Sequence, residues 1–316
     1  MIELAEINRA RAAIADVAIV TPLVRLQADT DVELYLKLET LQPVNSFKIR
    51  GAGSAVLQAT DDELRGGVLT ASAGNMAQGV ALAARLRGVP ATIVVPDHAP
   101  EAKLSAIARL GGRVIKVPYD AWWNTLLEGR FEGEGGMFVH PVADRRVMAG
   151  NGTIGLELLE QLSDFDAIVV PYGGGGLLTG IASAVKAHRP KVKVYGAEPA
   201  TGAPVTATLA AGGTPTTVEY VPSFVDGSGS RALLPDVWAH ASQLLDGAFA
   251  IPTAETAAAV RLIAGRLRVI AEGAGALATA AAVSGRIEGA RKIVCIVSGG
   301  NIDSAVFSRI LNGEDE

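Results

Sequence analysis

Lys48 stands directly after Phe47, one turn beyond a loop that runs Pro43-Val44-Asn45-Ser46. A lysine in that place can be partly buried. Burial disfavours the charged ammonium and lowers its pKa, and a neutral amine is the form that condenses with an aldehyde to give a Schiff base. Position alone favours an ordinary lysine on a helix surface, and motif matches of this length arise often by chance. Three further segments reverse that balance.

The run Ala71-Ser72-Ala73-Gly74-Asn75-Met76 follows an apolar stretch and leads into Ala77-Gln78-Gly79. Its amides and the Ser72 and Asn75 side chains can converge on an anion, for which a carboxylate is the right size. An ordinary capped helix start explains the same letters equally well. Tyr172-Gly173-Gly174-Gly175-Gly176-Leu177 is harder to dismiss. Four successive glycines carry a backbone-entropy cost and are expected where amides must wrap closely around a group such as phosphate. The loop imitates a dinucleotide-binding turn with Glu198 further on, but Leu178 or Thr179 falls where the third glycine belongs. No Lys-Ser/Thr pair follows for a nucleoside-triphosphate loop. Ser298, ahead of Gly299-Gly300-Asn301, closes the last apolar run and alone reads as a turn.

These loops need strands and helices to aim them. Strands are predicted at Glu33 to Leu38, Gly67 to Ala71, Ala91 to Val95, Arg113 to Lys116, Ala167 to Val170, Lys193 to Ala197 and Lys292 to Val297. Most are continuous apolar runs, as strands covered on both faces should be, so the fold class is α/β with parallel sheets. Helices are predicted at Asn75 to Arg87, Ala102 to Leu110, Leu177 to His188 and Thr253 to Leu267, and an amphipathic helix at the start. The stretch Thr201 to Pro235, rich in Gly, Pro and Thr, reads as a long loop over a site.

Composition limits the partners. Apolar residues are 49% and charged residues 19% of the 316, the balance of a soluble α/β enzyme. No apolar run reaches the ~18 residues of a membrane span, so a cytoplasmic protein is expected. A net charge of −5 without a basic block argues against nucleic acid. Cys295, the sole cysteine, excludes an internal disulfide and a cysteine-based zinc site and reads as a core residue.

Taken in order, the four segments resemble the fold-type II pyridoxal-phosphate enzymes, specifically the serine/threonine ammonia-lyase (threonine dehydratase) and serine racemase group. The resemblance runs nearly end to end and takes in Phe138-Val139-His140-Pro141, Gly150 through Glu157, and Glu272-Gly273-Ala274-Gly275-Ala276. It implies two parallel-rich sheets covered by helices, with a large cofactor domain (1–65 and 143–316), a small inserted domain (66–142), no C-terminal regulatory domain, and a homodimer. It implies that Lys48 holds pyridoxal 5'-phosphate, Phe47 packs on its ring, and Asn75 meets the phenolic oxygen. Gly173, Gly174, Gly175, Gly176 and Leu177 would take the phosphate, and Ser298 would face the ring nitrogen. A hydroxyl there does not force the ring to stay protonated, which favours elimination over transamination. The expected reaction removes water and then ammonia from a β-hydroxy amino acid such as threonine, serine or phenylserine. A β-replacement enzyme of the cysteine-synthase kind, and a non-catalytic binding protein on the same fold, are the alternatives.

The departures from the group fall on the substrate side, formed by Ser72, Ala73, Gly74, Asn75, Met76, Trp123 and Asn151. Ala73 replaces the racemase's serine that protonates the second face, so efficient racemisation is not expected. Met76 replaces a histidine, Asn45 a glycine and Asn151 a glutamine. Trp123 aligns with an arginine, which implies a less polar pocket. The group's divalent-metal site maps onto Glu198 and Pro204; proline has no side-chain oxygen, so no metal is expected, with Glu198 a weak candidate and otherwise a solvated strand-end acid.

Overall fold

Two parallel-rich sheets carry the chain, and each aims the C-terminal ends of its strands at one cleft. The computed structural model describes residues 1–315. From the N-terminus the elements are α1 (Leu4–Ala13), β1 (Leu23–Leu26), β2 (Glu33–Leu38), a 3-10 turn (Glu39–Leu41) and α2 (Lys48–Leu57). Next come β3 (Val68–Ala71), α3 (Asn75–Arg87), β4 (Ala91–Pro96), α4 (Glu101–Arg109), β5 (Gly112–Val117), α5 (Tyr119–Glu128) and β6 (Met137–Phe138). Then follow α6 (Arg145–Gln161), β7 (Ala167–Pro171), α7 (Gly176–His188), β8 (Lys193–Pro199), α8 (Pro204–Ala210), α9 (Pro235–Ala241) and β9 (Gly247–Ile251). The chain ends with α10 (Thr253–Leu267), α11 (Gly273–Val283), β10 (Lys292–Val297) and α12 (Ser304–Leu311).

The larger sheet has the order β1-β2-β10-β7-β8-β9 and is parallel except for β1, which runs antiparallel to β2. Both of its faces are buried. Along β10, Ile293, Cys295 and Val297 enter the core under α10 and α11, while Val294 and Ile296 enter the core under α7. That division explains why the strand is apolar at every position after Lys292. The smaller sheet, β5-β4-β3-β6, is wholly parallel. Its main core is completed by Ala52, Ala55 and Val56 of α2 and by Val147 of α6, residues outside 66–142.

All seven predicted strands and the four bounded helices are present, with ends moved by no more than two residues. The short strands β1, β6 and β9 were not predicted, nor was α6, the longest helix. Its glycines look like loop residues in the sequence but serve close packing. A Cβ on Gly150 would stand 2.2 Å from the Arg50 carbonyl oxygen, and one on Gly155 2.8 Å from the Ile181 carbonyl oxygen. Helix α6 is thus pressed between α2 and α7.

Candidate active site

The cleft has a volume of about 1150 Å³. Lys48, the first residue of α2, keeps part of its surface open to it while its amine is enclosed by protein. Nζ donates to the carbonyl oxygen of Pro141 at 2.9 Å and lies 5.1 Å from the centre of the Phe47 ring. Burial brings the Lys48 pKa down to about 8, against the opposing pull of the Glu272 carboxylate. An appreciable fraction of the amine is therefore neutral between pH 7 and 8, where a surface lysine is almost wholly charged.

The Pro141 carbonyl is set by a tight turn in which the Val142 and Ala143 amides donate to Nδ1 of His140, at 3.0 and 2.8 Å. Burial, with the Lys48 charge adding to it, lowers the His140 pKa to about 4. His140 is neutral at physiological pH, with Nδ1 the acceptor.

At one end of the cleft, Gly173 to Gly176 join β7 to α7. Gly175 caps α7 with φ +91° and offers no side-chain partner, so the first amides of the helix point outward without an intrahelical acceptor. A Cβ on Gly174 would strike Val142 at 2.7 Å, and one on Gly175 would strike Tyr172 Oη at 2.5 Å. Only glycine fits. The cradle is the size and polarity of a phosphate seat, made of amides at a positive helix end. Ser228 Oγ, which donates to the Tyr172 carbonyl at 2.6 Å, ties this loop to the α8–α9 connection, whose Tyr220 and Asp226 to Leu234 line the cleft.

Ser72, Ala73 and Gly74 follow β3 and lead into α3, which also starts without a side-chain cap. Asn75 Nδ2 donates to Glu272 Oε1 at 2.8 Å, and its Oδ1 accepts from Asn301 Nδ2 at 2.7 Å. Met76 is buried at the start of α3. Asn151 lines the cleft from α6, and its buried Oδ1 has no protein partner among the described residues. Ser298 lies at the end of β10, where its carbonyl oxygen accepts from the Phe47 amide at 3.0 Å. Trp123, on α5, belongs to the same lining. Every predicted cofactor and substrate residue thus borders one cavity.

Glu198 does not border it. Nor is it a solvated strand-end acid: it is wholly buried, and its oxygens accept from the Val205 amide (3.0 Å), the Thr206 amide (2.9 Å) and Thr206 Oγ1 (3.0 Å). Pro204 starts α8, and Glu198 satisfies the open amides behind it. Burial raises the Glu198 pKa to about 7. Among the described residues no group of three or more His, Cys, Asp or Glu is placed to hold a metal ion.

The sequence left several residues of the cleft unread. Glu272 is buried, and burial, with the nearby Asp226 charge, raises its pKa to about 7. Asp226 in turn forms an ion pair with Lys103 of α4 across the cleft. Glu272 was legible only as part of a motif, and the Lys103–Asp226 pair joins residues too distant in sequence to be matched by spacing. Tyr119 and Trp122 were missed too, although they flank Trp123 in sequence.

The residues fit pyridoxal phosphate: a desolvated amine for its aldehyde, an aromatic ring beside that amine, and a glycine cradle for its phosphate. Comparison with known proteins agrees. The sequence profile described as "Pyridoxal-phosphate dependent enzyme" matches residues 14–299. The chain is 38% identical over 317 residues to the L-threonine ammonia-lyase of Thermotoga maritima, covering 99% of this chain and 79% of that one. It is 36% identical over 318 residues to the serine racemase of Oryza sativa subsp. indica, covering 95% and 91%. The processed form of threonine deaminase isoform 2 from Solanum lycopersicum superposes with a TM-score of 0.89 at 34% identity, over 98% of this chain and 87% of that one. No helix among the described residues is long and apolar enough to cross a membrane. The chain belongs to the fold-type II family of pyridoxal-phosphate-dependent enzymes.

Proposed function

We propose that this protein is an ammonia-lyase that converts a β-hydroxy amino acid to a 2-oxo acid and ammonia by loss of water. The observation that carries the proposal is the Lys48 amine, desolvated and held by the Pro141 carbonyl between a phosphate-sized cradle and the amides of Ser72 to Asn75. Lys48 would hold the cofactor, Gly173 to Leu177 its phosphate, Phe47 its ring, Asn75 its phenolic oxygen, and Ser298 its ring nitrogen. Bound there, pyridoxal phosphate supplies the electron sink that makes a Cα proton removable.

The remaining steps belong to the chain. Ser72 to Asn75 would bind the substrate carboxylate through amides at the start of α3. That contact fixes the Cα–H bond toward Lys48, whose amine, once the substrate's own amine has displaced it from the cofactor, would take the proton as general base. The Pro141 carbonyl orients Nζ, and the ring of Phe47 keeps one side of it dry. The β-hydroxyl departs as water, and a water returned at the end releases ammonia, so one substrate gives one 2-oxo acid and one ammonium ion. Ala73 has no proton to return to Cα, which supports elimination over racemisation.

A panel of serine, threonine, hydroxyaspartate and phenylserine isomers, scored together for 2-oxo acid and ammonia, tests the proposal. Equal amounts of both products from at least one member are expected. Ammonia without oxo acid, or neither product, refutes it.

A further inference from the structure

We infer that the substrate's β-carbon carries an aromatic ring, which packs on a wall built by Tyr119, Trp122 and Trp123; this rests on the ammonia-lyase assignment above. The smaller sheet has the order β5-β4-β3-β6 with all strands parallel, so the C-terminal ends of β3, β4 and β5 open side by side. The end of β3 carries the carboxylate seat, Ser72 to Gly74. The end of β5 leads straight into α5 and the aromatic residues. Two strand spacings separate them, about 10 Å. The aromatic residues and the carboxylate seat line the same cavity.

The wall is continuous. Ring centres lie 5.4 Å apart for Tyr119–Trp122 and 6.0 Å for Trp122–Trp123, with tilted planes. Tyr119 and Trp123 nevertheless stay 52% and 39% exposed, and Leu127 beside them is 58% exposed. Large apolar side chains gathered on a concave surface and left open to water mark a place that a ligand covers. Deeper in, Met76 is buried and presents only a thioether. Cations do border the cleft. Lys103 is neutralised by Asp226, and Arg231 is exposed on the α8–α9 connection that lines the cleft, so a β-carboxylate is a real competitor to be tested.

For 3-phenylserine the products are phenylpyruvate and ammonium, with the hydroxyl lost as water and one water consumed. Covering a phenyl-sized surface predicts a kcat/KM roughly ten- to a hundredfold above that of serine. Trp123→Ala should cut the phenylserine-to-serine ratio by about tenfold, and Trp123→Phe should restore most of it. Retained visible absorbance of the bound cofactor certifies that a variant is folded. Binding is read independently with phenylalanine, which has no β-hydroxyl to lose: it should shift the tryptophan fluorescence of the holoenzyme, and the shift should shrink in Trp123→Phe.

Faster turnover of serine, threonine or hydroxyaspartate than of phenylserine overturns the inference and leaves the ammonia-lyase assignment standing. So does an unchanged ratio in Trp123→Ala. Absence of oxo acid and ammonia from every substrate removes the assignment, and the inference with it.

Discussion

Lys48 Nζ donates its hydrogen bond to the carbonyl oxygen of Pro141, a residue 93 positions away that belongs to the turn held by His140. The bond joins α2, which starts at Lys48, to the connection between β6 and α6. A backbone carbonyl cannot take a proton from the amine, so it orients Nζ without competing for the role of base.

The lowered pKa of Lys48 predicts how the protein takes up its cofactor. Stripped of pyridoxal phosphate, the chain carries Lys48 charged below about pH 8 and neutral above it. Only the neutral amine reacts with an aldehyde. The rate of reconstitution should therefore climb about tenfold per pH unit from 6 toward 8 and level off beyond. Borohydride treatment of the loaded protein should fix the cofactor on the peptide that contains Lys48. A label on another lysine, or a rate still rising steeply past pH 10, contradicts the placement of the amine.

The glycine cradle makes a second, sharper prediction. Gly175→Ala puts a methyl group 2.5 Å from Tyr172 Oη at φ +91°, a conformation that costs alanine about 1–2 kcal/mol even in open space. Cofactor affinity, measured by titration of absorbance, should fall at least tenfold. Gly265→Ala is the control: Gly265 lies on the exposed side of α10, and nothing lies within 4 Å of its added Cβ. It should stabilise the helix by about 0.5–1 kcal/mol and leave affinity alone.

The contrast between those two glycines shows how far the sequence could be read. The functional loops were legible because each joins an apolar strand to a helix, and four consecutive glycines have few other uses. Asn45 was legible as a substitution for glycine, and its φ of +54° shows why asparagine serves there, being the side chain most tolerant of left-handed backbone. Helix α6 was not legible, because Gly150 and Gly155 weaken its helical signal and their reason, contact with α2 and α7, exists only after folding. The same holds for Glu272. Its raised proton affinity comes from burial and from Asp226 on a separate loop, and no local pattern announces either.

Glu198 leads to a prediction about metals. The oxygens that a divalent cation would need already accept three hydrogen bonds from Val205 and Thr206, and Pro204 supplies no further side-chain ligand. Chelation with EDTA should change neither the melting temperature nor the rate of oxo-acid formation, and added magnesium or calcium at millimolar concentration should restore nothing. A rise of several degrees on adding either ion would show that Glu198 leaves α8 to bind it. Glu198→Ala, by contrast, exposes the α8 amides to an apolar hole and should lower the melting temperature whether or not metal is present.

The last prediction concerns what holds Lys48 in register. Two residues along α2, Arg50 is buried and forms ion pairs with Glu39 at 2.7 Å and Glu157 at 2.6 Å; Lys37, also buried, pairs with Glu157 at 2.5 Å. Two cations and two anions balance, and Thr21, Thr153 and Gln161 complete their hydrogen bonds. Such a cluster contributes little net stability over an apolar substitute, but losing one member leaves buried charge without a partner, at about 3–5 kcal/mol. Glu157→Leu strands Lys37 and leaves Arg50 with Glu39 alone, and should lower the urea midpoint by that order. Adding Lys37→Met to the same variant removes that stranded charge, leaves Arg50 and Glu39 balanced, and should recover much of the loss. Arg50→Lys keeps the charge but cannot reach Glu39 and Glu157 together, so the start of α2 is held on one side only. Its mark should fall on the site: slower cofactor uptake and an altered pH dependence at Lys48, with a smaller loss of stability than in Glu157→Leu. If Arg50→Lys takes up cofactor like the wild type while melting earlier, the cluster supports the fold and does not position Lys48.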